Sequence, residues 1–129
     1  MTQMMKLSTE DGHTLDAAVA GDPSTAHGGV VVLQEIFGLN AHIRSLPERF
    51  AEAGYYAVAP ALFDRAERGV ELGYDAEGRE RGIALKNAVD DDAIFDVTAA
   101  ILAAAAAGTV TVVGSVSYTH LTLPTTNSV

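Results

Sequence analysis

The apolar residues of this chain form three short runs that predict the strands of one sheet. They occupy residues 30–33, 55–59 and 109–113, and Pro60 stops the second run. Residues 30–33 are apolar throughout, which is typical of a parallel strand that helices cover on both faces. Residues 109–113 are all Thr or Val, so their β-branched side chains favour a third buried strand that reaches Gly114.

Helical spacing and helix-ending residues fill the gaps between these runs. Ser45 is a candidate N-cap, with a proline two residues later and a glutamate three residues later. This pattern predicts a helix over residues 45–53 that Gly54 ends. A short helix is expected over residues 80–89, and the acidic residues 90–92 open a longer one. The apolar face of that longer helix consists of Ile94, Val97 and Ile101.

The amino-terminal residues predict an antiparallel hairpin rather than a helix. An Asp-Gly pair at residues 11–12 separates the short runs 6–9 and 14–20, which is a strong hairpin signal. Residues 65–78 are polar and rich in glycine, so we expect a surface loop there. The order hairpin, strand, helix, strand, helices, strand predicts an α/β domain with a doubly wound sheet.

Composition excludes several classes of function. The formal net charge of -9 disfavours nucleic acid and anionic membranes as partners, because both are negatively charged. The chain has no cysteine, which excludes disulfides, thiolate metal ligands and a thiol nucleophile. No leader-like or bilayer-spanning apolar segment occurs, so we expect a soluble cytoplasmic protein.

Glu35 is the strongest catalytic candidate in the sequence. It follows a buried strand, where a carboxylate either finds hydrogen-bond donors or titrates at higher pH, and both outcomes suit catalysis. The alternative is a carboxylate that only anchors its loop. Three consecutive acids point in different directions and negative charge suits a helix amino end, so we interpret residues 90–92 as capping a helix rather than as a metal site. Neither glycine-rich phosphate-binding motif occurs, and we expect no cofactor and no metal.

One motif connects the chain to a known family. The sequence QEIFGLN at residues 34–40, followed by HIR at 42–44, GY at 54–55 and VAPALF at 58–63, resembles the first half of dienelactone hydrolases, also called carboxymethylenebutenolidases. The resemblance implies a partial α/β-hydrolase fold, a mostly parallel sheet with an N-terminal β-hairpin. It also implies hydrolysis of a small-molecule lactone or ester through a cysteine acyl-enzyme.

The same resemblance assigns roles to individual residues. Glu35 would lie beside the nucleophile and help to activate it when substrate arrives. The peptide N–H of Ile36 would help to form the oxyanion hole. An arginine near residue 80 would bind the substrate carboxylate. We assign this role to Arg81, with Arg79 as the alternative. Without the family, Ile36 is equally well explained as a core residue and either arginine as a solvated one.

The resemblance ends at Gly114. The family continues with a cysteine two residues later, whereas this chain has Val116 there and Tyr118 in place of a second glycine. Ser115 or Ser117 with His120 does not replace the triad, because neighbours on an extended chain alternate faces. We therefore divide the chain into residues 1–114, the amino-terminal part of a hydrolase domain truncated before the nucleophile, and a non-homologous tail at 115–129. The chain as given is expected not to turn over substrate.

Three alternatives remain open from the sequence. Residues 116–126 resemble a translation of sequencing-adapter DNA, but a genuine Thr-rich edge strand is the other explanation. The order of strands and helices also suits a noncatalytic flavodoxin-like or nucleotide-binding domain. An acidic interaction module that exposes residues 65–78 is a third possibility.

Overall fold

The computed structural model describes residues 2–114 and the backbone of residues 127–128. In this part of the chain one mixed sheet has the strand order β1-β2-β4-β3-β5-β6. The hairpin strands β1 and β2 are antiparallel, β2 also runs antiparallel to β4, and the remaining neighbours are parallel. The strands are β1 Gln3–Ser8, β2 Thr14–Ala20, β3 Gly29–Val32, β4 Tyr56–Pro60, β5 Val110–Val113 and β6 Asn127–Ser128.

Helices cover the sheet on both faces, as the apolar strands predicted. The helices are α1 Ala41–Glu52, α2 Ala76–Val89 and α3 Ala93–Ala104, with short 3-10 turns at Leu62–Arg65 and Ala105–Ala107. On one face, Ile43 of α1 packs among Val30 and Val32 of β3. On the other face, Val97 and Ile101 of α3 pack against Val31. The α/β prediction and the hairpin are therefore confirmed.

The predicted start of α1 at Ser45 is wrong. The helix begins at Ala41, and Asn40 is its N-cap, with the side-chain oxygen accepting a hydrogen bond from the Ile43 N–H over 3.0 Å. Ser45 lies inside the helix, where its hydroxyl donates to the His42 carbonyl over 2.6 Å. Pro47 is buried within the helix as well. The capping pattern around Ser45 therefore coincided with a helix interior.

The second and third helices also differ in detail from the sequence prediction. Helix α2 begins at Ala76 rather than at residue 80, because the Asp75 side chain accepts a hydrogen bond from the Gly78 N–H over 2.7 Å. Asp92 occupies the N-cap position of α3 but its side chain makes no capping hydrogen bond. Asp90 instead forms an ion pair with Lys86 over 2.9 Å. Residues 90–92 thus add charge at the start of α3 without capping it.

Candidate active site

The turn after β3 lies beside the end of β5. Val32 and Val113 are partners in the parallel register, and the Leu33 N–H donates to the Val113 carbonyl over 2.8 Å. Gly114 packs on the same residue, since a Cβ atom built on it would stand 2.9 Å from Leu33 Cδ1. Glu35 follows two residues after Leu33. The structure therefore brings the Glu35 turn to the tip of the 109–113 strand.

A tight turn at Glu35–Gly38 carries the two predicted site residues, Glu35 and Ile36. The Gly38 N–H donates to the Glu35 carbonyl over 3.3 Å and closes the turn. Gly38 has a φ of +84°, and a Cβ atom there would stand 2.3 Å from the Val70 carbonyl oxygen. Only glycine fits this position, because it accepts the left-handed conformation and leaves room for the neighbouring backbone. The turn is therefore held both by its own hydrogen bond and by its close contact with Val70.

The loop after the first 3-10 turn supports the Glu35–Gly38 turn from outside. Gly38 forms a bridge with Glu71, and the Leu72 N–H donates to the Phe37 carbonyl over 2.9 Å. Residues 65–78 are therefore not merely a surface excursion. Part of this loop pairs with the turn that holds the candidate residues.

The Glu35 carboxylate and the Ile36 N–H have no hydrogen-bond or ion-pair partner in the part of the chain that the structure describes. Glu35 and Ile36 are both half-buried. Among residues 2–114, no hydrogen bond or ion pair engages the Glu35 carboxylate, and the Ile36 N–H donates to no acceptor. A carboxylate and an amide donor, neighbours in sequence, thus remain available to a ligand.

Gln34 is a polar residue that the sequence analysis did not single out. It is completely buried at the end of β3, and its Oε1 accepts a hydrogen bond from the Leu62 N–H over 2.9 Å. Its Nε2 donates to the Glu35 carbonyl over 3.4 Å. The signal in the sequence was an amide side chain directly after four apolar residues, where burial requires hydrogen-bond partners.

Helix α2 packs directly on the turn but directs Arg81 elsewhere. A Cβ atom on Gly82 would stand 1.9 Å from the Ile36 carbonyl oxygen, so only glycine permits this approach. The exposed Arg81 guanidinium forms an ion pair with the Glu67 carboxylate. Arg79 is exposed one turn before Gly82, beside a surface hollow that Tyr74 and Ile83 also line. The predicted Arg81 therefore lies near the turn, with its side chain bound to a loop carboxylate.

Two aromatic rings form an apolar wall next to the turn. Phe37 and Tyr74 pack edge to face, with ring centroids 4.6 Å apart and an interplanar angle of 68°. The Tyr74 hydroxyl accepts a hydrogen bond from Asn40 Nδ2 over 3.0 Å, while 63% of Tyr74 remains exposed. The helix cap Asn40 thus also holds an aromatic side chain at the edge of the candidate site.

An ion network around the buried Asp96 anchors the 3-10 turn Leu62–Arg65, whose first N–H donates to Gln34. Arg65 donates to the fully buried Asp96 over 2.8 and 3.3 Å and to Asp11 over 2.7 and 3.1 Å. Burial raises the pKa of Asp96 above its usual value, against the opposing effect of Arg65. Hydrogen bonds from Arg65 and Thr9 hold the pKa of Asp11 below its usual value. The hydrogen bonds from Arg65 to Asp11 and Asp96 raise the pKa of Arg65, which therefore stays charged.

The comparisons with known proteins assign this geometry to a family. A family model described as the dienelactone hydrolase family matches residues 15–119. The chain belongs to the dienelactone hydrolase family. Carboxymethylenebutenolidase from Pseudomonas putida is 38% identical over 104 residues, which cover 78% of this chain and 44% of that enzyme. A Synechocystis protein assigned as a carboxymethylenebutenolidase is 53% identical over 58 residues, which cover 45% of this chain and 24% of its own length.

A solved structure supports the same assignment for the fold. A Klebsiella pneumoniae protein assigned as a dienelactone hydrolase superposes with a TM-score of 0.67 at 26% identity, covering 88% of this chain and 50% of its own. The fold is thus a partial α/β-hydrolase fold, and the chain spans at most half the length of these relatives. Membership of the dienelactone hydrolase family does not support the nucleotide-binding and interaction-module alternatives.

Some predictions fall on residues outside the described part. The roles predicted for five residues outside the described part stay predictions; these residues are Ser115, Val116, Ser117, Tyr118 and His120. In the described residues there is no group of His, Cys, Asp and Glu side chains that could hold a metal ion. The same residues contain no helix with the length and hydropathy of a membrane span.

Proposed function

We propose that residues 1–114 form one side of the active site of an enzyme that hydrolyses lactone or related ester bonds. The observation that carries this proposal is the hydrogen bond between Leu33 and Val113, because it holds the Glu35–Gly38 turn beside the end of β5. In α/β hydrolases the nucleophile stands on a sharp turn directly after a buried strand. The end of β5 is the corresponding position in this fold.

The nucleophile is proposed to be a cysteine that this sequence does not contain. Valine at position 116 has no nucleophilic atom, and the chain has no cysteine anywhere. The match to only 44% of the Pseudomonas putida relative supports an enzyme whose nucleophile, aspartate and histidine belong to a further part of the protein. The chain as given is therefore proposed to be inactive. Residues 115–129, of which the family model matches only the first five, are proposed not to belong to the hydrolase domain.

The turn contributes to the reaction through two groups. In the proposed first step, the cysteine gives its proton to the histidine, its sulfur bonds to the substrate carbonyl carbon, and the carbonyl oxygen takes the negative charge. The Ile36 N–H donates to that oxygen, and a preorganised donor of this kind contributes about a hundredfold or more in rate. The ester C–O bond then breaks, the leaving oxygen takes a proton from histidine, and water hydrolyses the acyl-enzyme. Glu35 is proposed to activate the cysteine when substrate binds.

Arg81 is proposed to bind the carboxylate of the substrate, because a guanidinium group matches a carboxylate with two parallel hydrogen bonds. This role requires Arg81 to exchange Glu67 for the substrate. Arg79 remains the alternative on the same helix. Replacing each arginine with glutamine separates the two. Replacement of the substrate-binding arginine should raise KM for a carboxylate-bearing lactone, whereas replacement of the other should leave KM unaltered.

The experiment that tests the proposed function begins with the source DNA. The coding sequence beyond codon 114 is amplified, and the complete product is assayed for hydrolysis of lactones and aryl esters. We expect a cysteine after the β5 strand, followed later by an aspartate and a histidine. An uninterrupted gene that encodes residues 115–129 and then stops would contradict the proposal.

Glu35 is then tested in the complete product. Glu35→Gln should lower kcat/KM by about a hundredfold, as removal of a positioned acid–base group does. Glu52→Gln is the matched control, since Glu52 is exposed at the end of α1 and far along the chain from the turn. Equal activity of the wild type and Glu35→Gln would remove Glu35 from the mechanism.

A further inference from the structure

Gln34 combines complete burial with hydrogen bonds to two separate parts of the fold. Its Oε1 accepts from the backbone of Leu62, 28 residues away in sequence. The Leu62 N–H can only donate, so the carboxamide oxygen must face it and the NH₂ group must face the other way. That NH₂ group meets the carbonyl of Glu35. The orientation of the Gln34 amide is thus fixed by its partners.

The carbonyl of Glu35 and the N–H of Ile36 belong to one planar peptide unit. A hydrogen bond that holds the carbonyl therefore also fixes the direction of the N–H, which points the opposite way. The second hydrogen bond to this carbonyl comes from the Gly38 N–H over 3.3 Å. Both bonds are long, so neither alone holds the peptide plane firmly.

We infer that Gln34 is a positioning residue, which aims the Ile36 N–H at the oxyanion by holding the Glu35–Ile36 peptide plane against the 3-10 turn at Leu62–Arg65. This inference rests on the proposed function, because it assigns the Ile36 N–H to the oxyanion hole. It adds a completely buried side chain to the candidate site. The 3-10 turn is a firm support, because its last residue, Arg65, is bound to the buried Asp96.

Two substitutions separate the two hydrogen bonds of Gln34. Gln34→Met keeps the size of the side chain and loses both bonds. Gln34→Glu keeps an acceptor for the Leu62 N–H and, at a pH where its carboxyl group is ionised, has no donor for the Glu35 carbonyl. A role limited to holding Leu62 predicts a normal site in Gln34→Glu, whereas the positioning role predicts an altered site in both variants.

The first measurement is the NMR signal of the Ile36 amide, which requires no enzyme activity. The chain has five isoleucines, so ¹⁵N-isoleucine labelling gives a spectrum in which Ile36 can be followed against Ile94 and Ile101 of α3. We expect the Ile36 amide signal to move in Gln34→Met and Gln34→Glu while the two α3 signals stay in place. Should the chain fail to remain monomeric, the same labelling is applied to the complete gene product.

Val110→Ala is the control for a general loss of stability. It shortens a buried side chain at the amino end of β5, opposite Gly29 and at the other end of the strand from Val113. We expect this variant to leave the Ile36 signal unchanged. An Ile36 signal that moves no further in Gln34→Met than in Val110→Ala overturns the inference.

The second measurement is the kinetics of the complete product. Gln34→Met should lower kcat about tenfold with KM within about twofold, because misplacing a catalytic donor affects the transition state more than substrate binding. An unchanged kcat overturns the positioning role. The proposed function fails separately, when Glu35→Gln is fully active, even if the Ile36 signal has moved in the Gln34 variants.

Discussion

Gly82 of α2 lies against the backbone of Ile36, so closely that a Cβ atom on Gly82 would stand 1.9 Å from the Ile36 carbonyl oxygen. This contact joins α2, which begins at Ala76, to the turn after β3. The position of the helix therefore determines where the turn can lie. Any side chain at Gly82 must push the helix and the turn apart.

Gly82→Ala is therefore expected to destabilise the fold by about 1–3 kcal/mol, the range for overpacking a filled contact. Urea unfolding of the two proteins measures this difference. Gly73→Ala is the control, because a Cβ atom there meets nothing closer than 3.7 Å. A Gly82→Ala protein as stable as Gly73→Ala would show that α2 does not press on the turn.

The strands could be predicted from the sequence almost to the residue. The strand predicted over residues 30–33 is Gly29–Val32 in the structure, and the one predicted over 109–113 is Val110–Val113. Apolar β-branched runs leave little choice, because they must be buried on both faces of a parallel sheet. The helix starts could not be predicted in the same way. Asn40 and Asp75 cap them through single side-chain bonds, which hydrophobic periodicity does not reveal.

The candidate site could be predicted only in part, because its remaining contacts join distant segments. Glu35 and Ile36 stood out through their place after a buried strand and through the family motif. The hydrogen bond from Leu62 to Gln34 and the packing of Gly82 on Ile36 depend on how separate elements meet. No local pattern in the sequence encodes such pairs.

The helix cap offers a direct comparison between the sequence-based prediction and the structure. Asn40→Ala should cost about 1 kcal/mol of stability, the usual effect of losing an N-cap side chain. Ser45→Ala should change stability by less than about 0.5 kcal/mol, because Ser45 is an exposed residue inside α1. Thermal unfolding of the two variants gives the order. A larger loss for Ser45→Ala would restore the helix start at residue 45.

Asp11 should stabilise the fold less as the solution becomes acidic. Its pKa is held below the usual value of 3.8 by Arg65 and Thr9, so the carboxylate favours folding while it is ionised. This stability is fully present above the ordinary pKa and is lost as the pH falls through the lowered one. The difference in melting temperature between the wild type and Asp11→Asn should therefore shrink below about pH 4. Asp91→Asn, at an exposed site before α3, is the control, and an equal trend in both variants would contradict the assignment.

Removal of Arg65 should have the opposite dependence on pH. Arg65→Met leaves Asp96 fully buried without its cation, and breaking a buried pair in this way costs about 3–5 kcal/mol. Burial already raises the pKa of Asp96, and loss of Arg65 raises it further, so the folded variant retains a proton that the unfolded chain releases. Its stability must then fall as the pH rises above the unfolded value. Urea unfolding at acidic and neutral pH should therefore show the larger deficit at neutral pH.

The control for Arg65→Met is an exposed ion pair on the same sheet. Lys6 and Asp16 are 2.6 Å apart, with 68% and 38% of their side chains exposed. Lys6→Met should cost less than about 1 kcal/mol at either pH, because water screens such a pair. If Arg65→Met cost no more than Lys6→Met, Asp96 would not depend on Arg65. The Arg65–Asp96 pair would then not hold the 3-10 turn in place, and this turn is what binds Gln34 and, through it, orients the Glu35–Ile36 peptide.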